Sequence, residues 1–554
     1  MSTSASLNVL ESEGSSERPR DLRRPVMLIG FQVQGNLGLG YLAATLRQYG
    51  YRVEVFDFQK DRDELLEAAE ELQPILVGFS LIFQFYINQF SSLMNYLRAH
   101  GIRSHFTMGG HFPSLSSERT LQMAPQLDSV VRFEGEMTLL ELVDLLSTGR
   151  DWRGIQGVAY RKDTEIVSTA LRPLIRDLDQ LPFPDRDFVA QHILGRVVMP
   201  MLASRGCART CSFCSIHMFY RSAPGKVVRT RKPKEVVREM RFLHDSQGIT
   251  VFLFQDDDFP LFGPVWTRWA QEFVDELHRD GLAGRVVWKI NCRADAVEEQ
   301  LLSAMRDAGL FLVYMGLESG SEEGLKTLHK QITVEQNLRA VRILKQIGLR
   351  FEFGFMLLDP SSTFESVRDN IRFLRDIVGD GSAAAGFSRM IPYDGTPIKD
   401  ELERTGRLIG DVINPGYDFL DPRLQEYYEA LTRIVNVSGW VHGIESLSPQ
   451  LCHAWNEVAV IERLFPPLPG MQEYAANVRR ITKDANEILF RVMGDMADFY
   501  TAGKESPWSA DLLHACSRRL LNELLEKRNA FVYSNKAILI EALRESAALP
   551  ASAA

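Results

Sequence analysis

Two successive series of alternating strand-like and helix-like segments constrain the fold of this 554-residue chain more than any other feature. In the first series, amphipathic segments that end at glycines separate five short runs rich in β-branched and aromatic residues: VMLIGF, RVEVFDF, ILVGFS, HFTMGG and SVVRFEG. Consecutive β–α units of this kind fold as a parallel sheet with helices on both faces. Residues 25–150 therefore predict an open, doubly wound α/β domain.

A second series begins near residue 197 and contains six more strand-like runs: VVMPMLASRG, VFLFQDD, VVWKINC, FLVYMGLE, RFEFGFMLL and GFSRMIPY. Six β–α units in a row are typical of a partial parallel barrel, which we expect over residues 197–400. Residues 151–196 contain a candidate hairpin, GVAYRKDTEIVST, and then prolines that forbid a long helix. We interpret residues 151–196 as a connector between the two folds.

The two ends of the chain depart from this α/β pattern. Residues 401–554 are mainly helical in their periodicity, as in LQEYYEALTRIVNV, and predict a helical C-terminal domain. Residues 1–24 are polar and lack the apolar core of a signal peptide, so we expect a disordered leader. A division into several domains agrees with the length of the chain, which exceeds what one hydrophobic core supports.

Composition narrows the class of protein. The formal net charge is −9, whereas nucleic-acid binding depends on cations that neutralise phosphates, so we expect no nucleic-acid partner. No apolar run reaches the roughly 18 residues of a membrane span, so we expect no membrane insertion and a cytoplasmic location. Six cysteines in such a chain do not form a disulfide framework. Three of them are clustered, and the others, Cys292, Cys452 and Cys516, are expected to pack in the interior.

The clustered cysteines are Cys207, Cys211 and Cys214, in the stretch SRGCARTCSFCSIHMFY after the first strand of the second series. Parallel barrels carry their chemistry at the carboxyl ends of the strands, where this loop lies. A structural zinc site takes four protein ligands, for which His217 is a candidate fourth. Three thiolates also hold an iron–sulfur cluster that leaves one iron open. From the spacing, an iron–sulfur cluster and a zinc or plain structural site remain equally open.

Polar residues follow the later strands of the second series as well. The second strand ends in FQDDDF, and the adjacent carboxylates of Asp256, Asp257 and Asp258 repel one another unless a cation lies near. NCRAD ends the third strand with Arg293, and MGLESGS ends the fourth with Glu318. Taken one at a time, each has an equally good structural explanation: a solvated turn for the aspartates, a surface ion pair for Arg293 and a helix cap for Glu318. Their place at the ends of successive strands favours one common site.

The spacing Cys207-x3-Cys211-x2-Cys214, with the aromatic Phe213 before the last cysteine, resembles the signature of radical S-adenosylmethionine enzymes. The resemblance implies that these cysteines hold a four-iron, four-sulfur cluster. It further implies that the open iron binds the amino and carboxylate groups of S-adenosylmethionine, and that Phe213 belongs to the cofactor site. The cosubstrate would then take the place of a fourth cysteine.

The same resemblance implies roles for the polar residues at the later strand ends. One of the three aspartates would accept hydrogen bonds from the methionyl ammonium group. Arg293 would pair with the methionyl carboxylate, a geometry that suits a guanidinium group. Glu318 would accept hydrogen bonds from the ribose hydroxyls or from the amine. The segment LLDPSST departs from the family, whose members more often carry glycines there, and this difference concerns the adenine contact.

The N-terminal segments LGLGYLAATLRQYGYRVEVFD, GGHFPSL and VVRFEGEMTLLELVDLL closely resemble the cobalamin-binding members of that family. The resemblance covers residues 25 to about 400 and implies that cobalamin binds at the strand ends. The DxHxxG motif that coordinates cobalt in methionine-synthase-type domains is absent, because the first loop reads GFQVQGN. For His111 we favour a peripheral contact or a capped turn over a cobalt ligand. The candidate cobalamin contacts are Gln34, Gly35, Ser80, Gly109, Gly110, His111 and Glu134.

These cofactors imply a radical enzyme. We expect it to methylate an unactivated carbon of a natural-product, amino-acid or peptide substrate, with an electron donor such as a flavodoxin or ferredoxin. Radical cyclisation or ring rearrangement needs the same cofactors and remains open. A non-catalytic cobalamin sensor is the alternative outside enzymes, and the intact cysteines and aspartates argue against it. The C-terminal helical segment is expected to act as substrate lid.

Overall fold

The structure is a computed structural model that describes residues 20–32, 35–188, 190–435, 447–503 and 508–547. It has the predicted α/β architecture, with an N-terminal sheet, a half-barrel and C-terminal helices. Residues 1–19 of the predicted leader lie outside the described residues. Its last residues are attached to the first domain, since Arg20 Nε lies 2.6 Å from Asp144 Oδ1.

The N-terminal part is a seven-stranded sheet in the order β2-β1-β3-β4-β5-β6-β7. Its strands are β1 (Val26–Gly30), β2 (Val53–Asp57), β3 (Leu76–Ser80), β4 (His105–Gly109), β5 (Ser129–Val131), β6 (Val158–Lys162) and β7 (Glu165–Ser168). Its helices are α1 (Leu37–Gln48), α2 (Arg62–Leu72), α3 (Ile87–Ala99), α4 (His111–Leu115), α5 (Ser117–Met123) and α6 (Glu136–Thr148). The strand order reverses between β1 and β3, which is where doubly wound sheets bind ligands.

Strand β1 shows why this sheet is covered on both faces. Val26 and Leu28 belong to one apolar layer, whereas Met27 and Ile29 belong to the other. Successive side chains of a strand point to opposite faces, so a strand buried on both sides is an unbroken apolar run. The hairpin expected in the connector is present as β6 and β7. It joins the edge of this sheet, because β6 pairs antiparallel with β5.

The second part is a seven-stranded sheet in the order β16-β15-β14-β13-β12-β9-β8, curled into a half-barrel. Six of its strands are parallel, and β8 pairs antiparallel with β9 at the edge. The strands of this part are β8 (Gln191–Ile193), β9 (Arg196–Met201), β10 (Ser204–Arg205), β11 (Arg229–Thr230), β12 (Val251–Phe254), β13 (Val287–Cys292), β14 (Leu310–Glu318), β15 (Arg350–Leu358) and β16 (Ser388–Arg389). Its helices are α7 (Ser215–Ser222), α8 (Pro233–Gln247), α9 (Pro264–Asp280), α10 (Glu299–Asp307), α11 (Glu322–Thr327), α12 (Val334–Gln346) and α13 (Phe364–Val378).

The C-terminal part is helical apart from one short hairpin. Its elements are α14 (Pro397–Arg404), β17 (Leu408–Gly410), β18 (Pro415–Tyr417), α15 (Arg423–Val435), α16 (Leu447–Leu464), α17 (Met471–Ala502), α18 (Ala510–Ser534) and α19 (Lys536–Ala547). Helix α16 packs against β13 and β14. It lies at the amino ends of the strands, because Arg350 at the start of β15 stacks 3.8 Å from the Trp455 ring. Among the described helices, none combines the length and apolar character needed to cross a membrane.

Candidate active site

The three clustered cysteines lie on a loop between β10 and α7, at the carboxyl end of the barrel. Protein contacts hold this loop at Ser212, whose hydroxyl donates to the Thr327 carbonyl at 2.8 Å. The Ser212 amide donates to the Leu328 carbonyl, and its own carbonyl accepts from the Ile398 amide. The loop is therefore fixed from the β14 side of the barrel and from helix α14.

Each cysteine has a distinct polar neighbour or environment. Cys211 is buried, and its Sγ lies 3.8 Å from Arg293 Nη1. Cys207 is half-buried, and its Sγ lies 3.8 Å from Asp258 Oδ2. Burial raises the pKa of Cys207 to about 12 and that of Cys214 to about 11. Iron bound here would therefore displace thiol protons.

The three thiolates are chemically suited to an iron–sulfur cluster. In the described ranges, no three His, Cys, Asp or Glu side chains are grouped so as to hold one ion. A cluster spreads its thiolates over several iron atoms, so they need not converge on one point. His217, the candidate fourth zinc ligand, is buried, and its Nδ1 has no hydrogen-bond partner in the described part of the chain.

The three aspartates after β12 have different surroundings. Asp256 is fully engaged, because it accepts hydrogen bonds from Ser204 Oγ at 2.5 Å and from the Ala203 amide at 3.1 Å. It therefore ties β12 to the loop after β9. Asp257 accepts from the Gly206 amide at 2.9 Å. Both carboxylates thus hold the segment that leads into the cysteine loop.

Asp258 differs because its carboxylate faces the cysteines rather than the backbone. Burial raises the pKa of Asp258 to about 6, against the lowering effect of Arg293 and Lys330. A buried carboxylate with cations nearby and no amide donor retains the capacity to accept hydrogen bonds from a ligand. Of the three aspartates, Asp258 is best placed for an ammonium group beside the cysteines.

Arg293 is already engaged by protein groups. Its Nε donates to Asp295 Oδ1 at 2.9 Å, and its Nη2 donates to the Lys330 carbonyl at 2.7 Å. With Nη1 beside Cys211, little of the guanidinium is left to meet a carboxylate. The predicted pairing with the methionyl carboxylate stays a prediction. The observed contacts instead place a fixed positive charge beside Cys211, a predicted cluster ligand.

Glu318 lies at the end of β14 and forms a buried ion pair. Its Oε1 accepts from Lys330 Nζ at 2.9 Å. Glu318 has a φ of 66°, a left-handed conformation that is uncommon for this residue type. A Cβ added at Gly316 would come within 2.3 Å of Glu318 Oε1, so the glycine makes room for the pair. Glu318 Oε2 is left for a ligand.

A cavity of about 690 Å³ lies between the strand ends of the two sheets. Its size is within the roughly 300–1,000 Å³ of small-molecule sites. The barrel contributes Ser204, Arg205, Gln255 and Asp257, and α7 contributes Tyr220. The predicted cobalamin contacts that line it are Gly35, Ser80, Gly109, Gly110, His111 and Glu134. Glycine-bearing strand ends and a mixed polar and apolar lining suit a large cofactor, which supports cobalamin binding here.

Individual cavity residues have roles that the sequence did not predict. Gly110 has a φ of 113°, and a Cβ there would lie 2.2 Å from the Leu81 carbonyl oxygen, so this glycine allows two loops to meet. The imidazole of His111 is 4.6 Å from the Phe219 ring, and burial lowers the pKa of His111 to about 4, so the ring is neutral. Gln34 lies outside the described residues, and Phe213 packs against the barrel core.

A buried ionic network joins the two sheets beside this cavity. Arg205 Nη2 lies 2.7 Å from Glu136 Oε1, and Arg205 Nη1 lies 3.2 Å from Glu134 Oε1. Arg229, which pairs with Arg205 across β10 and β11, lies 2.8 Å from Glu134 Oε2. Glu134 also accepts from the Ile175 amide at 2.7 Å. Glu134 therefore connects the domains as well as lining the cavity.

Sequence reasoning missed Lys330, Asp295, Arg205 and Arg229. Lys330 lies in a connection that carries no recognisable motif, and Asp295 ends the NCRAD segment, in which only Arg293 was assigned a role. Arg205 and Arg229 belong to strands of two residues each, too short for any periodicity. The one available signal was adjacency, since Arg205 lies two residues before Cys207.

Comparison with known proteins agrees with this geometry. The B12 binding domain matches residues 31–143, and the radical SAM superfamily matches residues 201–374. An uncharacterized methyltransferase of Pyrococcus horikoshii is 30% identical over 368 residues, which cover 65% of this chain and 77% of that protein. The anaerobic magnesium-protoporphyrin IX monomethyl ester cyclase of Cereibacter sphaeroides is 29% identical over 418 residues, which cover 71% of this chain and 64% of that protein.

A solved structure shows the same fold. The cobalamin-dependent S-adenosylmethionine radical enzyme OxsB, with aqua-cobalamin bound, superposes with a TM-score of 0.65 at 18% identity. The match covers 94% of this chain and 84% of that chain. The chain belongs to the cobalamin-binding radical S-adenosylmethionine family. It is a radical enzyme whose cofactors are a four-iron, four-sulfur cluster, S-adenosylmethionine and cobalamin.

Proposed function

We propose that the protein transfers a methyl group to an unactivated carbon of a natural-product, amino-acid or peptide substrate. The observation that carries the proposal is the position of two consecutive residues. Asp257 lines the cavity between the sheets, and Asp258 faces the cysteines. The two cofactor sites are therefore adjacent, so one substrate can be reached from both.

When bound, the cofactors supply the electron, the hydrogen-abstracting radical and the methyl group. The chain's own residues hold and orient them. In this proposal Cys207, Cys211 and Cys214 hold the cluster, and Asp258 accepts hydrogen bonds from the methionyl ammonium. Glu318 Oε2 accepts hydrogen bonds from the ribose hydroxyls. The cavity residues Gly35, Ser80, Gly109, His111 and Glu134 would surround cobalamin.

The relatives support a radical reaction but include two outcomes. One is a methyltransferase and another is a cyclase. The methyltransferase is 30% identical and matches 65% of this chain, and the cyclase is 29% identical and matches 71% of this chain, so these values do not separate the two reactions. We propose methyl transfer, and the fate of a labelled methyl group tests it. Cyclisation remains the second candidate, since it uses the same cofactors. We further propose that a flavodoxin or ferredoxin in the cytoplasm supplies the electron.

The test is anaerobic reconstitution with iron, sulfide, cobalamin, a reductant and methyl-deuterated S-adenosylmethionine. We expect 5′-deoxyadenosine, S-adenosylhomocysteine and a substrate that has gained a deuterated methyl group. Replacing Cys207, Cys211 and Cys214 by Ala should remove the iron and all three products. A product that lacks the deuterium label, formed together with 5′-deoxyadenosine, would instead indicate cyclisation.

A further inference from the structure

A second set of polar side chains lies inside the half-barrel, below the cysteines. Lys289 on β13, Tyr314 on β14 and Glu352 on β15 are carried by three neighbouring strands. On β14, Tyr314 alternates with the buried residues Val313 and Met315, so it points to the opposite face, into the barrel. None of these three residues takes part in the cofactor sites described above.

The interior of the barrel is open as far down as this group. Tyr314 keeps 36% of its surface exposed in the middle of a nine-residue strand. Gly354 on β15 leaves space for the phenol, because a Cβ there would lie 2.8 Å from Tyr314 Oη. Below the phenol, helix α16 closes the barrel with Asn456, whose Nδ2 lies 3.3 Å from Glu352 Oε1. The group therefore forms the floor of an open space.

The polar atoms on this floor have unused bonding capacity. Within the described residues, Lys289 Nζ makes no hydrogen bond or ion pair, and it lies 5.2 Å from the centre of the Tyr314 ring. Tyr314 Oη likewise has no hydrogen bond there. Glu352 accepts one hydrogen bond, from Asn456. A half-buried ammonium without a partner is costly unless a ligand or water completes it.

The charges on this floor indicate what the ligand carries. Lys289 is the cationic group of this floor and Glu352 the acidic one, and Nζ lies more than 4.0 Å from the carboxylate oxygens. Burial lowers the pKa of Lys289 and raises the pKa of Glu352, and the attraction between the two groups opposes both shifts. The next charged group up, Glu318, is neutralised by Lys330. The thiol of Cys452 is near both but is neutral, since burial raises its pKa. A phosphate, with nearly two negative charges, would meet one cation and be repelled by Glu352.

We propose that this floor binds the head group of a free α-amino acid, with Lys289 and Tyr314 on its carboxylate and Glu352 on its ammonium. The inference rests on the proposed function and names its substrate class. Tyr314 and Glu318 are four positions apart on β14, and both side chains approach Gly354, where a Cβ would lie 2.8 Å from Tyr314 Oη and 3.8 Å from Glu318 Oε2. The side chain of the amino acid would extend through this space toward the barrel mouth, where the carbon to be methylated lies.

The test is equilibrium dialysis of the anaerobically reconstituted holoenzyme against a mixture of the standard amino acids, followed by mass spectrometry of what is retained. We expect at least one amino acid to be retained at millimolar concentration. Lys289→Met and Glu352→Gln should each weaken its binding about tenfold or more. Its N-acetyl and carboxamide derivatives should not be retained, because each removes one charge.

Matched controls separate this site from general damage. Lys326→Met on α11 and Glu335→Gln on α12 remove the same types of charge from exposed side chains and should bind as the parent does. Iron content and cobalamin uptake should be unchanged in all four variants. If Lys289→Met loses iron, the milder Lys289→Arg, which keeps the charge, must still bind the amino acid.

Three results would overturn the inference. The first is that no standard amino acid is retained, and the second is that the retained one binds equally to the two floor variants. The third is that its N-acetyl derivative binds as well, which would mean a site for carboxylates alone. If the protein gives one of these results but still cleaves S-adenosylmethionine, the amino-acid site is wrong and the proposed function is unaffected. Failure to bind cobalamin or to cleave S-adenosylmethionine would instead contradict the proposed function.

Discussion

At the scale of single residues, three consecutive aspartates with the same chemistry have three different surroundings. Asp256 is bound by Ser204 and Ala203, Asp257 by Gly206, and Asp258 faces Cys207. The letters DDD show that carboxylates are present but not which of them is free. Only the partners that the fold brings close decide that question.

Replacing Asp258 by Asn should weaken S-adenosylmethionine binding about tenfold or more, because a charge-assisted hydrogen bond contributes roughly 1.5–3 kcal/mol. Iron content should stay normal, since no aspartate is proposed as a ligand. Equilibrium dialysis and 5′-deoxyadenosine formation measure the two effects. Asp256→Asn is the comparison: it should lower thermal stability instead, because it disturbs hydrogen bonds to the β9 loop. Parental binding in Asp258→Asn would show that the carboxylate has no such role.

His105 gives the N-terminal domain a pH-dependent stability. Burial lowers the pKa of His105 from 6.5 to about 4, so the unfolded chain binds the proton more readily. The stabilising effect of the neutral ring is complete above pH 6.5 and is lost as the pH falls toward about 4. The loss is roughly 3 kcal/mol. Urea unfolding of the parent and of His105→Gln should show a shallower pH dependence in the variant over this range.

If His105→Gln and the parent show the same pH dependence, the pKa of His105 does not differ between the folded and the unfolded chain. His192 is the matched control, because it lies exposed on the edge strand β8. His192→Gln should keep the parental slope.

At the scale of elements, the short β10–β11 pair positions the two cofactor sites relative to each other. It aligns Arg205 with Arg229, and both reach carboxylates at the start of α6. Burial would lower the pKa of Arg205, but Glu136 and Glu134 raise it well above its usual range, so the arginine stays charged. Two residues after Arg205 the cysteine loop begins, so this network connects the cluster to the cobalamin cavity.

Arg205→Met should separate the two halves of the reaction. The change leaves the buried Glu136 without its partner, while Glu134 keeps Arg229 and the Ile175 amide, and it costs about 3–5 kcal/mol of interdomain stability. We expect normal iron and continued 5′-deoxyadenosine formation, but at least about tenfold less methylated product per 5′-deoxyadenosine. Arg205→Lys should restore part of this ratio. Arg238→Met, at an exposed pair with Glu235, should leave it unchanged.

If Arg205→Met keeps the parental ratio of methylated product to 5′-deoxyadenosine, the network has no positioning role. Limited proteolysis of the connector provides a second measurement, because weaker contact between the domains should make residues 169–190 easier to cleave.

At the scale of the whole molecule, the barrel and the C-terminal helices share one apolar core. Buried residues of α16, α17 and α18 belong to the same cluster as the barrel strands. Trp455 on α16 is 5% exposed, and its Nε1 donates to Thr482 Oγ1 at 3.2 Å. These helices therefore share the barrel's core, and α16 closes its amino end, whereas α14 contacts the cysteine loop at the carboxyl end.

Trp455→Ala should destabilise barrel and helices together, by about 3–5 kcal/mol. Thermal unfolding followed by circular dichroism should coincide with loss of cluster absorbance, both at a lower temperature than in the parent. Tyr533→Ala, at a side chain that is 81% exposed, should change stability by at most about 0.5 kcal/mol. Melting of helices at a lower temperature than the cluster is lost would contradict a shared core.

The periodicity of apolar residues was enough to predict the helices and strands of this protein, and the spacing of its cysteines was enough to indicate its cofactors. Strand β15 was expected at residues 350–358 and is observed there, because its alternation is long and unbroken. The three cysteines could be singled out because their spacing is local, and their role as cluster ligands stays a prediction. Both features depend on residues close together in the chain, where the backbone sets the geometry.

Only the tertiary structure decided which polar residues meet. Lys330 reaches Glu318, Asp295 holds Arg293, and Arg205 reaches Glu134 across 71 positions of the chain. Such contacts depend on how sheets curl and domains dock, which no local pattern encodes. The burial that these contacts bring also decides which residues stay charged and which bonds remain free for a ligand. For this reason the sequence indicates the chemistry, and the packed structure decides which residues carry it out.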